Sequence, residues 1–354
     1  MKINRLLLLP RLLNFCDMQN SVAVVILNYN GQEMLARFLP SVIKNSSGAR
    51  IVVADNGSTD SSVDMLRKNF YEVEVMELGQ NYGFAEGYNR ALATIEARYF
   101  VLLNSDVEVT PDWLQPLYAL MEKDREIVAC QPKIRAYNSK DYFEYAGAAG
   151  GFIDAYGYPY CRGRILDSIE RDCGQYDEPC NIFWATGAAL MVRSSWYEAV
   201  GGLDSRFFAH MEEIDLCWRI LSRGGKIMAV PASVVYHVGA ATLKKNNPQK
   251  TYLNFRNNLL LVYKNMPDKE LRRVMRVRRI LDYVAAFKFL LSGDVGGFKA
   301  VLKARKDFKK LKGSFLSARD ENIKKSVVVE IRERGHFSIL WKYYVTRKRY
   351  FSQL

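Results

Sequence analysis

Four short apolar runs alternate with segments of helical spacing through the first third of the chain. The runs are VAVVIL at 22–27, RIVVA at 50–54, VEVMEL at 73–78 and YFVLL at 99–103. Near-continuous apolar runs are typical of parallel strands that are covered on both faces. Apolar residues recur at helical spacing in four segments, at about 33–44, 61–70, 84–97 and 111–123. The alternation predicts an α/β fold with a doubly wound sheet.

The loops after the predicted strands are small and polar. They are NYNG at 28–31, DNGSTD at 55–60, GQNYGFAEGYN at 79–89 and NSD at 104–106. Asn, Asp and Gly are ordinary turn residues, but ligands of such sheets bind at the carboxyl ends of the strands. The recurrence of these residues at successive strand ends therefore favours a binding site. A dinucleotide-binding domain is the competing interpretation, and it lacks a GxGxxG motif in the first turn.

Charge is unevenly distributed along the 354 residues. Residues 1–243 contain 23 Lys and Arg against 29 Asp and Glu, whereas residues 244–354 contain 28 against 9. This change predicts a separate basic C-terminal region over 244–354. In residues 1–20 a leucine-rich run is broken by Pro10 and Arg11, which indicates an N-terminal extension and not a signal peptide. No later window offers the roughly 18 uncharged apolar residues of a membrane span.

The six cysteines form no CxxC pair, so neither a zinc ribbon nor a disulfide framework is indicated. Cys161, Cys173 and Cys180 lie close together in sequence and leave a loose metal cluster as the weaker alternative. Reduced thiols are the rule in cytoplasmic proteins, and the cytoplasm is the location that we expect.

Six ordered motifs resemble those of the inverting family 2 glycosyltransferases of the GT-A fold. They are VVILNYNG, VVADNGSTDSS, NYGFAEGYNRAL, FVLLNSDVEV, ATGAALMVRS and HMEEIDLCWRILSRGGKI. The sequence is most similar to the rhamnosyltransferase-like members, which build bacterial surface polysaccharides. The resemblance implies a GT-A catalytic domain over residues 21–243. Residues 135–182 are rich in Tyr, Gly and Asp and are predicted to be an irregular insertion in this domain.

The resemblance implies that Asp106, which ends the NSD motif, holds Mg²⁺ or Mn²⁺ between the two phosphates of a nucleotide-sugar donor. A carboxylate suits this role because hard cations prefer oxygen ligands and stabilise a leaving diphosphate as Lewis acids. His237 stands where the family often has a second metal ligand or a phosphate contact. A lone His is more often simply packed, so its assignment depends on the order of the motifs.

Asp55 resembles the family carboxylate that accepts a hydrogen bond from the ring N–H of uracil or thymine. The resemblance implies that the rest of the donor pocket is lined by Asn28, Asn30, Asn81, Gly83, Gly87, Asn89 and Ser105. The glycines would let the backbone approach the donor closely. The alternative is that all of these residues only form turns.

An inverting transfer needs one carboxylate that takes the proton of the acceptor hydroxyl. Glu213 aligns with the family's base, although the family has Asp there, and Glu212 is the fallback. The pair begins a predicted helix, on which adjacent residues point about 100° apart, so only one of them can face the sugar. Asp215 and Arg219 are predicted to form an ion pair on that helix.

The segment FWATGAALMVR at 183–193 alternates apolar and small residues like a strand. Trp184, Thr186 and Gly187 in this segment are expected on the acceptor side of the site. An aromatic ring can stack on a sugar, but Trp184 is as easily a core residue.

Apolar residues recur at helical spacing among Arg and Lys in the C-terminal region, at Val277, Ile280, Leu281, Val284, Phe287 and Leu291. Three interpretations compete: a surface that lies on anionic lipid, a helix packed on the catalytic domain, and a nucleic-acid-binding arm. No known nucleic-acid-binding motif accompanies the charge, so a nucleic-acid partner is not expected. The membrane surface fits best with an acceptor linked to lipid.

The sequence thus predicts a metal-dependent, inverting transferase that moves a sugar to a saccharide or lipid-linked glycan in surface polysaccharide synthesis. Rhamnose from dTDP-rhamnose is the favoured donor, by resemblance. The expected location is the cytoplasm, peripherally on the inner face of the cell membrane. The alternative is a non-catalytic sugar-nucleotide-binding or scaffolding homologue in a membrane-associated assembly, because a fold does not guarantee an activity.

Overall fold

The computed structural model describes residue 18 and residues 21–239, 247–328 and 330–354. Apart from Met18, the predicted N-terminal extension lies outside the described residues, and so does the predicted boundary at residue 244. The strands are Val22–Asn28 (β1), Arg50–Asp55 (β2), Glu74–Glu77 (β3), Tyr99–Leu103 (β4), Val107–Val109 (β5), Ile127–Ala136 (β6), Ser139–Phe143 (β7), Gly151–Ile153 (β8), Pro159–Cys161 (β9), Arg164–Ile165 (β10), Ser168–Ile169 (β11), Cys180–Asn181 (β12), Ala189–Arg193 (β13) and Lys226–His237 (β14). The α-helices are Gln32–Asn45 (α1), Ser62–Asn69 (α2), Gly83–Leu92 (α3), Leu114–Lys123 (α4), Ser194–Ala199 (α5), Glu212–Ser222 (α6), Pro248–Asn265 (α7), Asp268–Leu291 (α8), Val295–Leu311 (α9), Leu316–Lys325 (α10) and Ile339–Tyr344 (α11).

One large mixed sheet organises the catalytic part of the chain. Its strand order is β12-β14-β6-β13-β4-β1-β2-β3, with β5 paired to β14 and β7 paired to β6. The four strands predicted from apolar runs are neighbours in this sheet and are parallel. Strand β13 is antiparallel to both β4 and β6, so the sheet is mixed. The predicted α/β fold is confirmed.

Both faces of the sheet are buried, as continuous apolar strands require. Alternate residues of β1 point to opposite faces: Val22, Val24 and Ile26 join one core cluster, and Ala23 and Val25 join the other. Helices α1, α2 and α4 cover the first face, while α3 and α6 cover the second. The double layer of helices leaves the carboxyl ends of the parallel strands as the edge where loops can meet.

Two predicted elements begin later than the sequence indicated. The helix expected over 111–123 starts at Leu114, because Asp112 has a left-handed backbone (φ 56°) that no helix continues through. The strand expected over 183–193 covers Ala189–Arg193 only. Its first half, which includes the predicted acceptor residues, is instead a buried loop.

Residues 135–182 are more regular than predicted. They include the end of β6, strand β7, and a small antiparallel sheet in the order β11-β10-β9-β8. Lys133 also ties this segment down, because its ammonium lies 3.0 Å from the Asp172 carboxylate and pairs with Asp177. The prediction of an irregular segment is therefore wrong for much of its length.

The C-terminal region is helical, as predicted, and its first helix is part of the main core. Four consecutive residues of α7, Leu259 to Val262, are fully buried in the same cluster as the second face of the sheet. None of the described helices combines the length and the apolar composition that crossing a bilayer takes.

Candidate active site

The ends of β1 and β2 are joined side by side through their polar residues. The register pairs Asn28 with Asp55, and the Asn28 amide donates to the Asp55 carboxylate at 2.9 Å and to the Ser58 hydroxyl at 3.1 Å. The second oxygen of Asp55 accepts from the Ser58 N–H at 2.9 Å. Asp55 is buried, and its carboxylate holds the two loops together. The buried Oδ1 of Asn28 has no partner among the described residues.

Asn30 and Ser105 belong to the same edge. The Asn30 side-chain oxygen accepts from the Thr59 N–H at 2.7 Å, and the Asn30 N–H donates to the Ser58 hydroxyl at 2.9 Å. A Cβ added to Gly31 would lie 2.4 Å from the Asn28 oxygen and 3.7 Å from the Ser105 hydroxyl. The first turn therefore sits directly against the NSD loop, with space for a glycine only.

A third loop approaches through Asn56, a residue that the sequence analysis did not single out. Its amide donates to Gly83 O at 3.1 Å and to the Asn81 oxygen at 3.2 Å, and its own oxygen accepts from the Tyr82 N–H. The Asn81 oxygen also accepts from the Gly83 N–H at 2.8 Å. The position of Asn56 directly after Asp55 was the available clue.

Asp106 and His237 are brought together by strand pairing. Strand β5, which begins at Val107, is antiparallel to β14 and places Val107 opposite His237. As a result, His237 Nε2 lies 3.1 Å from the Asp106 carboxylate, and Asn104 lies 3.4 Å from the same ring nitrogen. His237 Nδ1 lies 3.5 Å from Glu144, a second residue that sequence reasoning missed.

The surroundings of His237 favour the protonated, positively charged form of its ring. Burial alone would oppose an imidazolium, but the carboxylates of Asp106 and Glu144 beside the ring raise the pKa of His237 to about 10. Asp106, Glu144 and the ring are all buried. No group of three or more His, Cys, Asp or Glu in the described ranges is arranged as a complete metal site, the cysteines included. Any cation here would need further ligands from a bound molecule.

The loop of Thr186, Gly187 and Ala188 connects the NSD loop to the carboxylate pair. The Asn104 N–H donates to Ala188 O at 3.0 Å on one side of this loop. On the other side, a Cβ on Gly187 would lie 3.9 Å from the Glu213 Cβ and 3.2 Å from the Phe84 ring. Gly187, which has no side chain, thus lies between Glu213 and the end of β4.

Glu212 and Glu213 begin α6, as predicted, and one buried oxygen of each has no partner in the described part of the chain. Burial raises the pKa of Glu213. Burial and the adjacent Glu213 charge raise the pKa of Glu212 well above its usual range. Glu212 is therefore the better candidate for a neutral carboxyl, and Glu213, which lies beside Gly187, for a base.

The loop before this pair is strained. Phe208, His210 and Met211 all have a positive φ, at 67°, 69° and 78°. Such backbone angles in residues other than glycine cluster at functional sites, where the surroundings hold them. Burial lowers the pKa of His210 to about 4, so its ring is neutral, and its Nε2 has no partner among the described residues.

Helix α7 of the C-terminal region holds the strained loop. The fully buried Asn257 amide lies 2.9 Å from Phe207 O, 2.7 Å from Ala209 O and 2.8 Å from His210 O. Three carbonyls of one loop thus converge on one side chain from another part of the sequence. The C-terminal region therefore contributes to the geometry of the carboxylate pair.

Asp215 is also tied to α7. The predicted ion pair with Arg219 is present at 2.9 Å, but Lys264 and Asn265 each bind the same carboxylate at 2.8 Å. Arg219 lowers the pKa of Asp215 against the effect of burial, and Lys264 does so as well. Asp215 is a buried structural junction between α6 and α7.

Four of the predicted site residues make hydrogen-bond or packing contacts within the protein. The Asn89 amide is occupied by the backbone of Leu203, at 2.7 and 2.9 Å, and by the Tyr197 hydroxyl. Trp184 is a core residue whose indole donates to Phe152 O at 2.9 Å. Gly87 packs α3 against Leu27 and Asn56. Thr186 is buried, and its N–H donates to the Gln131 side chain.

Residues 23–188 match the family model described as Glycosyl transferase family 2. The N-acetylglucosaminyl-diphospho-decaprenol L-rhamnosyltransferase of Mycobacterium tuberculosis is 26% identical over 244 residues, which cover 62% of this chain and 76% of that protein. The pre-mycofactocin glycosyltransferase of the same organism is 27% identical over 222 residues, and the match covers 61% of this chain and 42% of that protein.

Solved structures show the same fold at lower identity. GalNAc-T7 with UDP, GalNAc and Mn²⁺ superposes with a TM-score of 0.57 at 20% identity, over 84% of this chain and 57% of that chain. S. aureus TarS 1-349 in complex with UDP-GlcNAc superposes with a TM-score of 0.55 at 14% identity, over 86% and 89% of the two chains. Together with the family match, these likenesses confirm the GT-A fold.

Proposed function

Since residues 23–188 are a glycosyl transferase family 2 domain and the chain is a glycosyltransferase, we propose that it is an inverting enzyme with a nucleotide diphosphate sugar as donor. The proposed acceptor is a hydroxyl of a saccharide or lipid-linked glycan at an anionic membrane surface, in surface polysaccharide synthesis. The favoured donor is dTDP-rhamnose. Support for sugar and acceptor comes from a relative that is named as a rhamnosyltransferase acting on a diphospho-decaprenol.

One observation carries the proposal. The loop of residues 186–188 is bonded to the residue after β4 through the Asn104 N–H, and a Cβ added to Gly187 would lie 3.9 Å from the Glu213 Cβ. A carboxylate and the NSD loop are therefore the two sides of one site. An inverting displacement needs this arrangement, with a base on the acceptor side and stabilisation of the diphosphate on the other.

Asp106 and His237 offer a divalent cation, Mg²⁺ or Mn²⁺, a carboxylate oxygen and an imidazole nitrogen that lie 3.1 Å apart in a buried cluster, and the cation would take the place of the proton that the ring otherwise carries there. These two residues would hold it, with Glu144 orienting the ring from the other nitrogen. When bound, the cation supplies Lewis-acid stabilisation of the negative charge on the leaving diphosphate. The described residues alone would supply too few ligands for the cation, and the remainder would come from outside the chain.

Glu213 acts as the base. Its carboxylate takes the proton of the acceptor hydroxyl as that oxygen bonds to the anomeric carbon and the bond from this carbon to the diphosphate breaks. Glu212, the fallback from the sequence, has the more strongly raised pKa of the two. Gly187 leaves room for the acceptor next to Glu213.

On the donor side, Asp55, Asn28, Asn30, Asn81, Gly83 and Ser105 line the edge formed by the four strand-end loops. Asn28 is the strongest candidate for a direct contact with the donor, because its buried side-chain oxygen has no hydrogen-bond partner among the described residues. Asp55 fixes the amide of Asn28 and thereby the direction of that oxygen.

A panel of donors tests this function. The protein is mixed with dTDP-rhamnose and with UDP- and GDP-sugars in the presence of Mn²⁺, and free nucleotide diphosphate is measured together with donor binding. Slow hydrolysis of one donor supports the proposal, and dTDP-rhamnose is expected to be that donor. Donor binding without any hydrolysis or transfer would instead support a non-catalytic homologue.

A further inference from the structure

Helix α8 directs charged side chains towards the protein interior and large apolar side chains towards the surface. Its fully buried stripe contains Val274, Arg278, Asp282 and Ala286, so two of the four inward residues are charged. Two residues along a helix correspond to about 200° of rotation. Ile280 and Val284, each two residues from a charged member of this stripe, therefore point away from the protein, and their side chains are 65% and 60% exposed.

The charged inward residues fix this orientation. Arg278 donates to Tyr156 O at 3.0 Å, contacts Asn258, and stacks over the Tyr158 ring at 4.0 Å. Asp282 pairs with Arg305 of α9. Rotating the apolar side inward would expose these partners or leave buried charges unpaired, which is strongly unfavourable. The apolar side of α8 is therefore held outward.

The outward residues form one continuous stripe, at intervals of three or four positions. We call it the outer stripe of α8; it consists of Lys269, Arg273, Arg276, Ile280, Val284, Phe287 and Leu291. Cations occupy its first half and large apolar side chains its second half, over about 33 Å of helix. In the described residues, no ion pair involves Lys269, Arg273 or Arg276.

Aromatic residues extend the apolar half. Tyr283 and Leu290 flank the outer stripe and are exposed, and Leu291 is 73% exposed. The Lys288 ammonium lies 3.0 Å from the hydroxyl of Tyr344 in α11, so the exposed Tyr344 adjoins the end of α8. Contiguous exposed apolar surface of this kind marks an interaction site. Tyr rings suit an interface with an apolar and a wet side.

We propose that the outer stripe of α8 docks this protein onto an anionic lipid bilayer, with Ile280, Val284, Phe287 and Leu291 in the acyl boundary and Lys269, Arg273 and Arg276 at the headgroups. Charge complementarity selects this occupant, because the stripe combines unpaired cations with apolar side chains on one helix face. The surrounding region, residues 244–354, has 28 Lys and Arg against 9 Asp and Glu. The inference rests on the proposed function in one respect, namely that a lipid-linked acceptor explains why the protein docks on a membrane.

Vesicle co-sedimentation tests the proposal without donor or metal. The full chain is mixed with vesicles of phosphatidylglycerol and phosphatidylethanolamine, and with vesicles of phosphatidylcholine alone. We expect binding to the anionic vesicles that weakens with salt and falls by about tenfold or more in Val284→Glu/Phe287→Glu. The matched control is Tyr71→Glu/Leu316→Glu, which adds the same charge at two other exposed sites and should bind like the unmodified chain.

Three results would overturn the inference. The first is equal binding by the two double variants, and the second is no binding to anionic vesicles by the unmodified chain. The third is a dimer in light scattering that Val284→Glu/Phe287→Glu dissociates while vesicle binding persists, since a second copy would then cover the stripe. Donor hydrolysis is measured on the same samples and should be unchanged in both variants, so failure of docking and failure of the transferase assignment are told apart.

Discussion

At the scale of single residues, the acceptor chemistry depends on which of two adjacent carboxylates can take a proton. Glu213 lies beside Gly187, on which an added Cβ would be 3.9 Å from the Glu213 Cβ, whereas Glu212 is the more deeply buried of the two. The sequence alone identifies the pair but does not show which of the two carboxylates is the base. That assignment depends on the burial and on the neighbours of each side chain.

Glu213 should give the enzyme a characteristic pH profile. Burial raises its pKa above the usual 4.5, and a base works only when deprotonated, so kcat/KM should rise with pH through this raised pKa. We expect the acid limb to lie above the ordinary range of glutamate. Glu213→Asp, which keeps a carboxylate, should retain such a limb at lower activity. An acid limb at or below 4.5 in the unmodified enzyme would contradict the assignment.

Asp106 should control binding of the cation and of the donor together. Asp106→Asn removes the anionic oxygen beside His237, and we expect Mn²⁺ affinity in the presence of nucleotide diphosphate to fall by roughly tenfold to a hundredfold. Titration calorimetry measures this directly. The control is Glu108→Gln, two positions away, which lies at the surface and pairs with Lys140. Equal losses in the two variants would indicate a general effect of charge.

Residue types that occur in turns were the least reliable guide to the site. Asn28 and Asn89 looked alike in the sequence, yet Asn28 keeps a buried oxygen without a partner among the described residues, while the Asn89 amide is bonded to Leu203 and Tyr197. Glu144 was missed because it belongs to a segment that gave no strand or motif pattern. The partner of an amide or carboxylate is decided by distant chain segments, which one sequence does not reveal.

At the scale of elements, the decisive contact is between α7 and the strained loop before α6. Helix α6 was predicted from its motif, and so were β1, β2 and β4 from their apolar runs. The link to α7 was not predictable, because Asn257 and the loop are separated in sequence and only the fold makes them neighbours.

Asn257 is expected to position the base without touching substrate. In Asn257→Leu the three carbonyls lose their donor and the loop relaxes, so kcat should fall by roughly tenfold to a hundredfold with little change in the KM for donor. The matched control is Asn322→Leu in α10, another buried Asn, whose amide bonds to Asn265. Both variants should lose about 1–3 kcal/mol of stability, measured by denaturant unfolding. A kcat loss of the same size in both would leave Asn257 a merely structural residue.

At the scale of the whole molecule, the C-terminal helices complete the catalytic domain. The charge change near residue 244 suggested a separate region, but Leu259 to Val262 share the core of the sheet, and Lys264 and Asn265 hold Asp215 of α6. The amino-acid composition of residues 244–354 reflects their basic surface. It gives little information about the side of the helices that packs in the core.

A chain that ends at residue 247 should therefore not fold. Four fully buried apolar side chains of α7 would be missing, and each contributes about 1.5–3 kcal/mol, a sum comparable with the 5–15 kcal/mol that is typical of a whole protein. Circular dichroism and size-exclusion chromatography of the shortened chain measure this outcome. A monomeric, cooperatively melting product that still hydrolyses donor would show the helices to be an independent appendage.

The most direct test of the central claim compares Glu213→Gln with the unmodified enzyme on the donor that the panel identifies. Turnover and donor affinity are measured on the same preparations. Loss of a proton-accepting group should lower turnover between about a hundredfold and ten-thousandfold while donor affinity stays within about twofold, since the role proposed for Glu213 is on the acceptor side. Unchanged turnover in Glu213→Gln would contradict the account.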